Sequence, residues 1–489
     1  MRRARSNQEP MANVDTAWLR MEQPTNLMMI TGVIVLSEIL VFEKFKQAIA
    51  DRFLSFPRFR HKAVATAGGY YWEEDSEFEL SAHIRHTALP GLASKDELQQ
   101  LVSELASTPL DKTKPLWQFH LVDNYEEGPV VIGRIHHCYA DGMALVQVML
   151  SLTETIREAS EAKIARHHWS KKKVSESNIF KRLMGPAKRG LNAASQISQQ
   201  VIQQGTEIWK NPEVLREQAF LAGEICHELM TLIAIEDDPP SRLKAPLGAR
   251  KNVAWASPIP LDEVKAIGHA LGCTVNDVLI GVMTGALHRY LRAAGDDPTE
   301  LSMRATVPVN LRPLEHAREL GNHFGLVFLD LPIAQANPLA RVYEVSESMR
   351  KLKSSKQAAV SLGLLAALGI APAPLQAPTL ELFSQKATTV LTNVPGPTER
   401  LYLAGSEINE LMFWVPQNGS IGMGISIMSY AGQVFSGLIA DRHLIADPSD
   451  VTELFEREFS DLLHLALLLG PLVSELSDEG LDDVHEWID

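Results

Sequence analysis

The spacing of apolar and polar positions changes period along this chain, and each change marks an element. Residues 28–36 form a largely apolar run with β-branched members, which predicts a buried strand. Over 41–54 the period lengthens and places Phe42, Phe45, Ile49 and Phe53 on or near one helical face. Gly68-Gly69 followed by Tyr70-Tyr71-Trp72 reads as a turn into a strand, 96–107 as a helix, and Pro115-Leu116-Trp117 opens a strand through Val122. The sharpest boundary follows the run 130–135. His136-His137 end it, Asp141-Gly142 mark a tight turn, and an apolar stretch starts at Met143. Met143, Val146, Gln147 and Leu150 then fit one face of a helix. Two imidazoles and a carboxylate thus sit where a buried strand turns over.

The α/β alternation of the first 155 or so residues breaks off near Glu158 and restarts after Asp237-Asp238-Pro239-Pro240. Strands are expected at 252–259, 303–309, 325–331, 388–391 and 421–429. Ala431-Gly432 turn the chain back into a hairpin partner at 434–439. Helices are expected at 261–271 and from Asn276-Asp277 to Leu291, with Thr274 or Asn276 as the cap. The two halves share a loose order of strand then helix, as two domains of similar build would.

Length fits this division: 489 residues exceed one ordinary core. Apolar residues make up 45% and charged residues 22%, the proportions of a globular protein, and the net charge of −14 argues against a nucleic-acid partner. Charge is uneven, however. The stretch 163–210 carries ten Lys or Arg against two Glu, with Phe180, Leu183 and Met184 among them. It reads either as a solvated linker or as a surface for anionic head groups; coenzyme A phosphates are another use for some of these charges. Cys138, Cys226 and Cys273 are far apart, show no metal spacing and cannot all pair, which suggests a reducing compartment. The basic N-terminus lacks the apolar core of a signal peptide. The apolar stretches 358–372 and 462–473 are short of the ~20 residues a spanning helix needs, so they read as buried helices or walls of a lipid tunnel.

The chemistry of the central stretch has several readings. A neutral imidazole near its ordinary pKa of ~6.5 accepts a proton at cellular pH, so His137 or His136 suits general-base catalysis. Plain hydrogen-bonded packing is the alternative. Zinc ligation by His136, His137 and Asp141 is disfavoured, because adjacent residues on a strand point to opposite faces. Cys138 as a nucleophile has no other support in the chain.

HHCYADG, residues 136–142, resembles the HHxxxDG signature of coenzyme A-dependent acyltransferases, the group of chloramphenicol acetyltransferase and the peptide-synthetase condensation domains. Pro115-Leu116-Trp117, Asn276-Asp277 in TVNDVLIG, VPVNLR ending at Arg312, and Asn393-Val394-Pro395-Gly396-Pro397 narrow the likeness. The whole set is similar to the bacterial wax ester synthase/diacylglycerol acyltransferase family, from Asp15 and Trp18 to Asp447. Two positions depart from it: Pro24-Thr25-Asn26-Leu27-Met28 stands where the family often has Pro-Met-His-Val-Gly, and Thr392 where Ser is usual.

The resemblance implies two chloramphenicol acetyltransferase-like α/β domains, 1–157 and 250–489, joined by a basic helical linker, 158–249, with the site at their interface. It implies that His137 takes the proton of a fatty alcohol or diacylglycerol hydroxyl, which attacks the acyl-CoA thioester directly, with neither metal nor cofactor. His136 supports. Asp141 pairs with Arg312, or failing that Arg304, and holds the loop, while Gly142 relieves crowding at the turn. Asn276, or else Thr392, Asn393 or Ser426, donates to the oxyanion. Trp117 serves the core or contacts substrate, and Pro115 and Asp277 are structural. The expected location is cytoplasmic, peripheral on the inner membrane face or a lipid droplet. Rival expectations are a relative with another alcohol or amine acceptor, a decayed lipid-surface binding protein, and a metal-dependent hydrolase.

Overall fold

Strands Met29–Leu36 and Val130–His136 are buried along nearly their whole length, as strands covered on both faces must be, and they form the middle of the first sheet. The computed structural model describes residues 8–66, 69–155, 230–312, 320–370 and 373–474. The basic stretch 163–210, most of the expected linker 158–249 and the acidic end 475–489 lie outside the described residues.

The first sheet has seven strands in the order Ile84–Thr87, Trp117–Val122, Val130–His136, Met29–Leu36, Ser406–Trp414, Tyr402–Leu403 and Thr153–Glu154. Ser406–Trp414 pairs antiparallel with Met29–Leu36, Trp414 opposite Thr31. Residues 402–414 therefore belong to the first sheet, although the expected second domain ran unbroken over 250–489. A long chain excursion completes a sheet whose remaining strands are local.

The second sheet also has seven strands. Along it lie Ile259–Pro260, Gln433–Asp441, Met423–Tyr430, Thr389–Pro395, Met303–Asn310 and Phe324–Leu331, while Lys251–Trp255 pairs with Gln433–Asp441. The expected hairpin is present: Ala431 at φ 48° and Gly432 at φ 79° give the positive dihedrals that a two-residue turn of this hand requires. Met303–Asn310, Thr389–Pro395 and Met423–Tyr430 run parallel, and a parallel pair needs a crossover. Helices Pro338–Ser354, Gln357–Ile370 and Ala373–Ser384 lie in the crossover between Phe324–Leu331 and Thr389–Pro395. Leu261–Leu271 stops at Gly272, which is left-handed at φ 63°. In Val275–Ala293, Thr274 is the cap, and its hydroxyl and the Asp277 carboxylate bond each other's backbone N–H.

Among the described residues no single helix is long and apolar enough to cross a membrane. Leu261–Leu271 and Val275–Ala293 together have the length and composition, but they bend by 99° and their apolar residues are buried in the second core. The apolar helix Gln357–Ile370, expected as core or tunnel wall, covers the exposed edge of Phe324–Leu331. Leu326 N–H donates to Ser361 Oγ at 2.6 Å and Phe328 N–H to Gln357 Oε1 at 3.2 Å, so the edge cannot template another strand.

That cover depends on close approach at Gly325. A Cβ there would stand 1.7 Å from the Ala358 carbonyl oxygen, which is backbone and cannot rotate away. Gly325→Ala is expected to destabilise the second domain by at least about 1–3 kcal/mol, the range for overpacking. Urea denaturation checks this; an unchanged midpoint would contradict the packing described.

Candidate active site

Three backbone contacts fix the turn at the end of Val130–His136. His136 N–H donates to Leu116 O at 2.9 Å, His137 N–H to Met28 O at 2.7 Å, and Tyr139 N–H to His136 O at 3.2 Å. The Tyr139 hydroxyl accepts from Leu116 N–H at 3.0 Å and donates to His61 O at 2.5 Å. Leu116 thus acts through its backbone, and Pro115 O accepts from Trp117 N–H at 2.9 Å. Trp117 fills the first core, 1% exposed, with its indole N–H on Phe59 O at 2.7 Å. A substrate contact for Trp117 is corrected: it does not reach the cavity, and its one polar atom is satisfied inside the core.

The second domain clasps the turn from the other side. Gly321 N–H donates to Tyr139 O at 3.0 Å and Asp141 N–H to Gly321 O at 3.2 Å. Asp141 is buried and spends both oxygens on structure. One accepts from Ala144 N–H at 2.8 Å, capping helix Gly142–Leu152. The other accepts from the buried Arg312 guanidinium at 2.7 Å and from His323 N–H at 3.0 Å. Arg304, the second candidate partner, is bound to Asp238 and Asp330 instead.

The two imidazoles part here. His136 Nδ1 accepts from Cys138 N–H at 3.1 Å, which puts the proton of the neutral ring on Nε2, 3.2 Å from Glu22. Burial pushes the Glu22 carboxyl up, but the His136 ring and Lys112, 2.7 Å away, outweigh it and hold it at about 2. His137 turns the other way. Trp18 stacks on it with centroids 4.2 Å apart and planes at 22°, and Phe324 lies at 5.5 Å. Burial lowers His137 to about 4, against a smaller upward pull from Asp141. His136, His137 and Asp141 therefore do not converge on a point, which removes the geometry a shared zinc would need. Cys138 is fully buried and is not part of the cavity lining, and burial raises its thiol well above the ordinary range, all of which disfavour a thiolate nucleophile.

His137 opens on a cavity of about 230 Å³ between the domains. Trp18, Asp141, Gly142 and Met143 contribute the first-domain wall. The opposite wall is one face of the second sheet: Thr306, Pro308 and Asn310; Phe324 and Leu326; Val390, Thr392 and Val394, alternating along three strands. Asn393, Pro395, Val415, Pro416 and Asn418 complete the lining, with Phe413 from the first-sheet strand Ser406–Trp414. At Gly142 a Cβ would meet nothing within 4 Å, so its expected role in relieving crowding is corrected: it leaves open space in the cavity wall.

The expected oxyanion donors divide. Thr392 and Asn393 line the cavity. Ser426 lies behind Thr392, whose hydroxyl points to it at 3.4 Å, and Asn276 is exposed behind Asn393, accepting from its amide at 2.6 Å. Asn276 and Ser426 thus stand one bond away from the cavity because parallel pairing sets Thr392 beside Ser426 and the helix start sets Asn276 beyond Asn393. Residue patterns missed Glu22 and Asn322 and gave Trp18 no role in the site; none belongs to a motif with local spacing.

A buried imidazole with lowered basicity has a pH signature. His137 stays neutral down to about pH 4, below its ordinary value of 6.5. The unfolded chain takes up that proton below 6.5 and the folded site refuses it until about 4, so His137 weakens folding increasingly as pH falls through this window. Glu22 acts in the same direction, its stabilisation being present above the ordinary 4.5 and lost toward about 2. With His137 as the essential base, the profile of kcat/KM is expected to be flat from about pH 7.5 down to about 5.5, with no limb near 6.5. A limb centred near 6.5 would mean that the base is solvated.

Comparison with known proteins agrees with this architecture. Residues 11–279 match the family model described as the wax ester synthase/diacylglycerol acyltransferase catalytic domain, and 320–463 match the WS/DGAT C-terminal domain. Two Mycobacterium tuberculosis proteins carrying the name diacylglycerol O-acyltransferase are similar. One is 24% identical over 432 residues, 87% of this chain and 88% of the relative; the other is 26% identical over 505 residues, 96% and 92%. Among solved structures, the wax ester synthase/diacylglycerol acyltransferase from Marinobacter aquaeolei VT8 shares the fold with TM-score 0.66 at 19% identity, covering 94% of this chain and 99% of that one. The starter condensation domain of rhizomide synthetase shares it with TM-score 0.57 at 13% identity, covering 94% and 95%. With both family domains matched in order along most of its length, the chain belongs to the wax ester synthase/diacylglycerol acyltransferase family.

Proposed function

We propose that this protein transfers a long-chain acyl group from acyl-CoA to the hydroxyl of a fatty alcohol or a diacylglycerol, with His137 as general base. The observation that carries the reading is a buried imidazole, stacked on Trp18, facing a largely apolar cavity between the domains. A base in such a site is neutral at pH 7 and shielded from water that would compete with the acceptor.

In this reading the acceptor O–H gives its proton to His137 as its oxygen bonds the thioester carbonyl carbon. The tetrahedral oxyanion takes a hydrogen bond from Asn393 Nδ2, or from Thr392 Oγ1 with its proton turned from Ser426, on the opposite wall. The C–S bond then breaks, and His137 returns the proton to the CoA sulfur, leaving ester and free thiol. Asn276 orients the Asn393 amide and Ser426 backs Thr392. Asp141, Arg312 and His136 hold the loop, Asp141 with both oxygens spent on that task although it borders the cavity. No residue of this account forms a covalent acyl intermediate. Both acceptor classes are lipids, so we place the enzyme peripherally, at the cytoplasmic membrane face or a droplet surface where such acceptors gather.

Thiol release from palmitoyl-CoA, with hexadecanol or dioleoylglycerol as acceptor, tests the reading. Release is expected to require an acceptor and to fall by at least about 10²-fold in His137→Ala, the lower end of what a general base contributes. The better acceptor assigns wax ester or triacylglycerol as the main product. Release that ignores the acceptor would make the protein a thioesterase, and full activity in His137→Ala would remove the assigned base.

A further inference from the structure

The chain departs from the family pattern over 24–28, and at Asn26 the departure meets the second domain. Asn26 is 2% exposed. Its backbone pairs with Gln23 across a tight turn, and its side chain reaches the segment 415–421. Nδ2 donates to Gly419 O at 2.9 Å and to Ile421 O at 3.3 Å. Both carbonyls only accept, so the NH₂ faces them, and Oδ1 is left buried with no hydrogen-bond partner. A buried acceptor without a partner costs stability, so stability alone does not account for an amide at this place.

The segment that Asn26 holds carries the chain from Ser406–Trp414 in the first sheet to Met423–Tyr430 in the second. It is fixed a second time at the end of helix Ala373–Ser384. Ser420 N–H donates to Ser384 Oγ at 3.0 Å, and a Cβ on Gly419 would stand 2.2 Å from that oxygen. Val415, Pro416 and Asn418 of this segment are cavity wall. Val415 packs with Ala387, Val390 and Ile421, and strand register sets Val390 beside Thr306. His137 lies at the other end, where its neighbour Phe324 pairs with Asn310. Thr306 and Asn310 are four residues apart on Met303–Asn310, about 13 Å along a strand. Val415-Pro416 thus close the end of the cavity remote from His137. Beyond them is a second cavity of about 20 Å³, whose walls include Leu27, Met29, Trp414 and Ile439. Val415 and Pro416 line both cavities and form the partition between them.

We propose that Asn26 is a positioning residue that sets the length of aliphatic chain the cavity takes: it pins 415–421, so that a chain extending from the reacting ester ends against Val415-Pro416. This rests on the reading of the site as one for long-chain substrates. Without the two amide bonds the partition yields toward the smaller cavity and a longer chain enters. His137 is held by other bonds, its N–H on Met28 O and the Asp141 anchor, so turnover of a short chain does not depend on the Asn26 side chain. One methylene more or less in an apolar pocket of fixed shape changes kcat/KM by about tenfold or more, so the position of the wall is read as a length profile. The chain belongs to the acyl donor or to the alcohol, and varying each in turn separates the two.

The test assays acyl-CoAs from octanoyl to eicosanoyl with hexadecanol, and alcohols from octanol to eicosanol with palmitoyl-CoA. It compares wild type, Asn26→Ala and Asn26→Asp, which keeps the volume but turns only acceptors on the two carbonyls. In at least one series both variants are expected to raise the ratio of kcat/KM for the longest chain to that for the shortest by about tenfold, with kcat for the shortest changed little. The series that responds names the owner of the chain. Unchanged ratios in both series for folded variants would overturn the proposal, and so would an equal loss at every length, which is what general loosening gives. Val415→Ala thins the partition and leaves the amide bonds intact, and it is expected to shift the same ratio. An unchanged ratio there would overturn the proposal even where the Asn26 variants fail to fold. Absence of acceptor-dependent thiol release from the wild type would instead overturn the reading of the function, so the failures are distinguishable.

Discussion

The ion pair between Asp141 and Arg312 joins the two domains at the point where the reaction is read to occur. Both residues are nearly inaccessible to water, and each comes from a different domain. Such a pair adds little net stability over a well-packed apolar contact, but removing one partner strands the other charge at a cost of about 3–5 kcal/mol. Its contribution is therefore registration. The same carboxylate caps Gly142–Leu152 and receives His323 N–H, so the turn, the helix start and the second-domain loop share one anchor.

The surroundings of His137 follow from that anchor. Backbone bonds between Tyr139, Asp141 and Gly321 align the two loops, which brings Phe324 over the imidazole and Asn322 behind it. Trp18 closes the remaining face from the first helix. The second sheet then supplies a wall of alternating apolar and hydroxyl or amide side chains across a gap that can receive an acyl ester. His136, although adjacent in sequence, faces Glu22 and serves to lock the turn.

Much of this was legible because it is local. The strand, turn and helix over 130–152 follow from periodicity and Asp-Gly, and the Ala431-Gly432 hairpin and a cap at Thr274 or Asn276 follow from residue preferences at fixed offsets. The pairing of Asp141 with Arg312 came from family resemblance; no local pattern joins residues so far apart. What the sequence hid depends on contacts between distant segments. Strand Ser406–Trp414 carries Glu407, Asn409 and Glu410 among its apolar positions, and only its partner Met29–Leu36 explains why it joins the first sheet. Helix Asn13–Met21 has Ala12 at its N-cap and no capping side chain, so neither Trp18 nor Asp15 announces its place. Trp117 and Trp18 look alike as sequence. One closes on the core through Phe59 and the other lies on His137, and only tertiary packing separates them.

The central claim is that the interdomain pair holds His137 in working geometry. A double-mutant cycle on kcat/KM with Asp141→Asn, Arg312→Gln and the double variant measures it most directly. The account predicts that each single change costs at least about tenfold and that the double variant is no worse than the poorer single, because both remove one interaction. Losses that multiply would show that the two residues act independently, and would contradict the account.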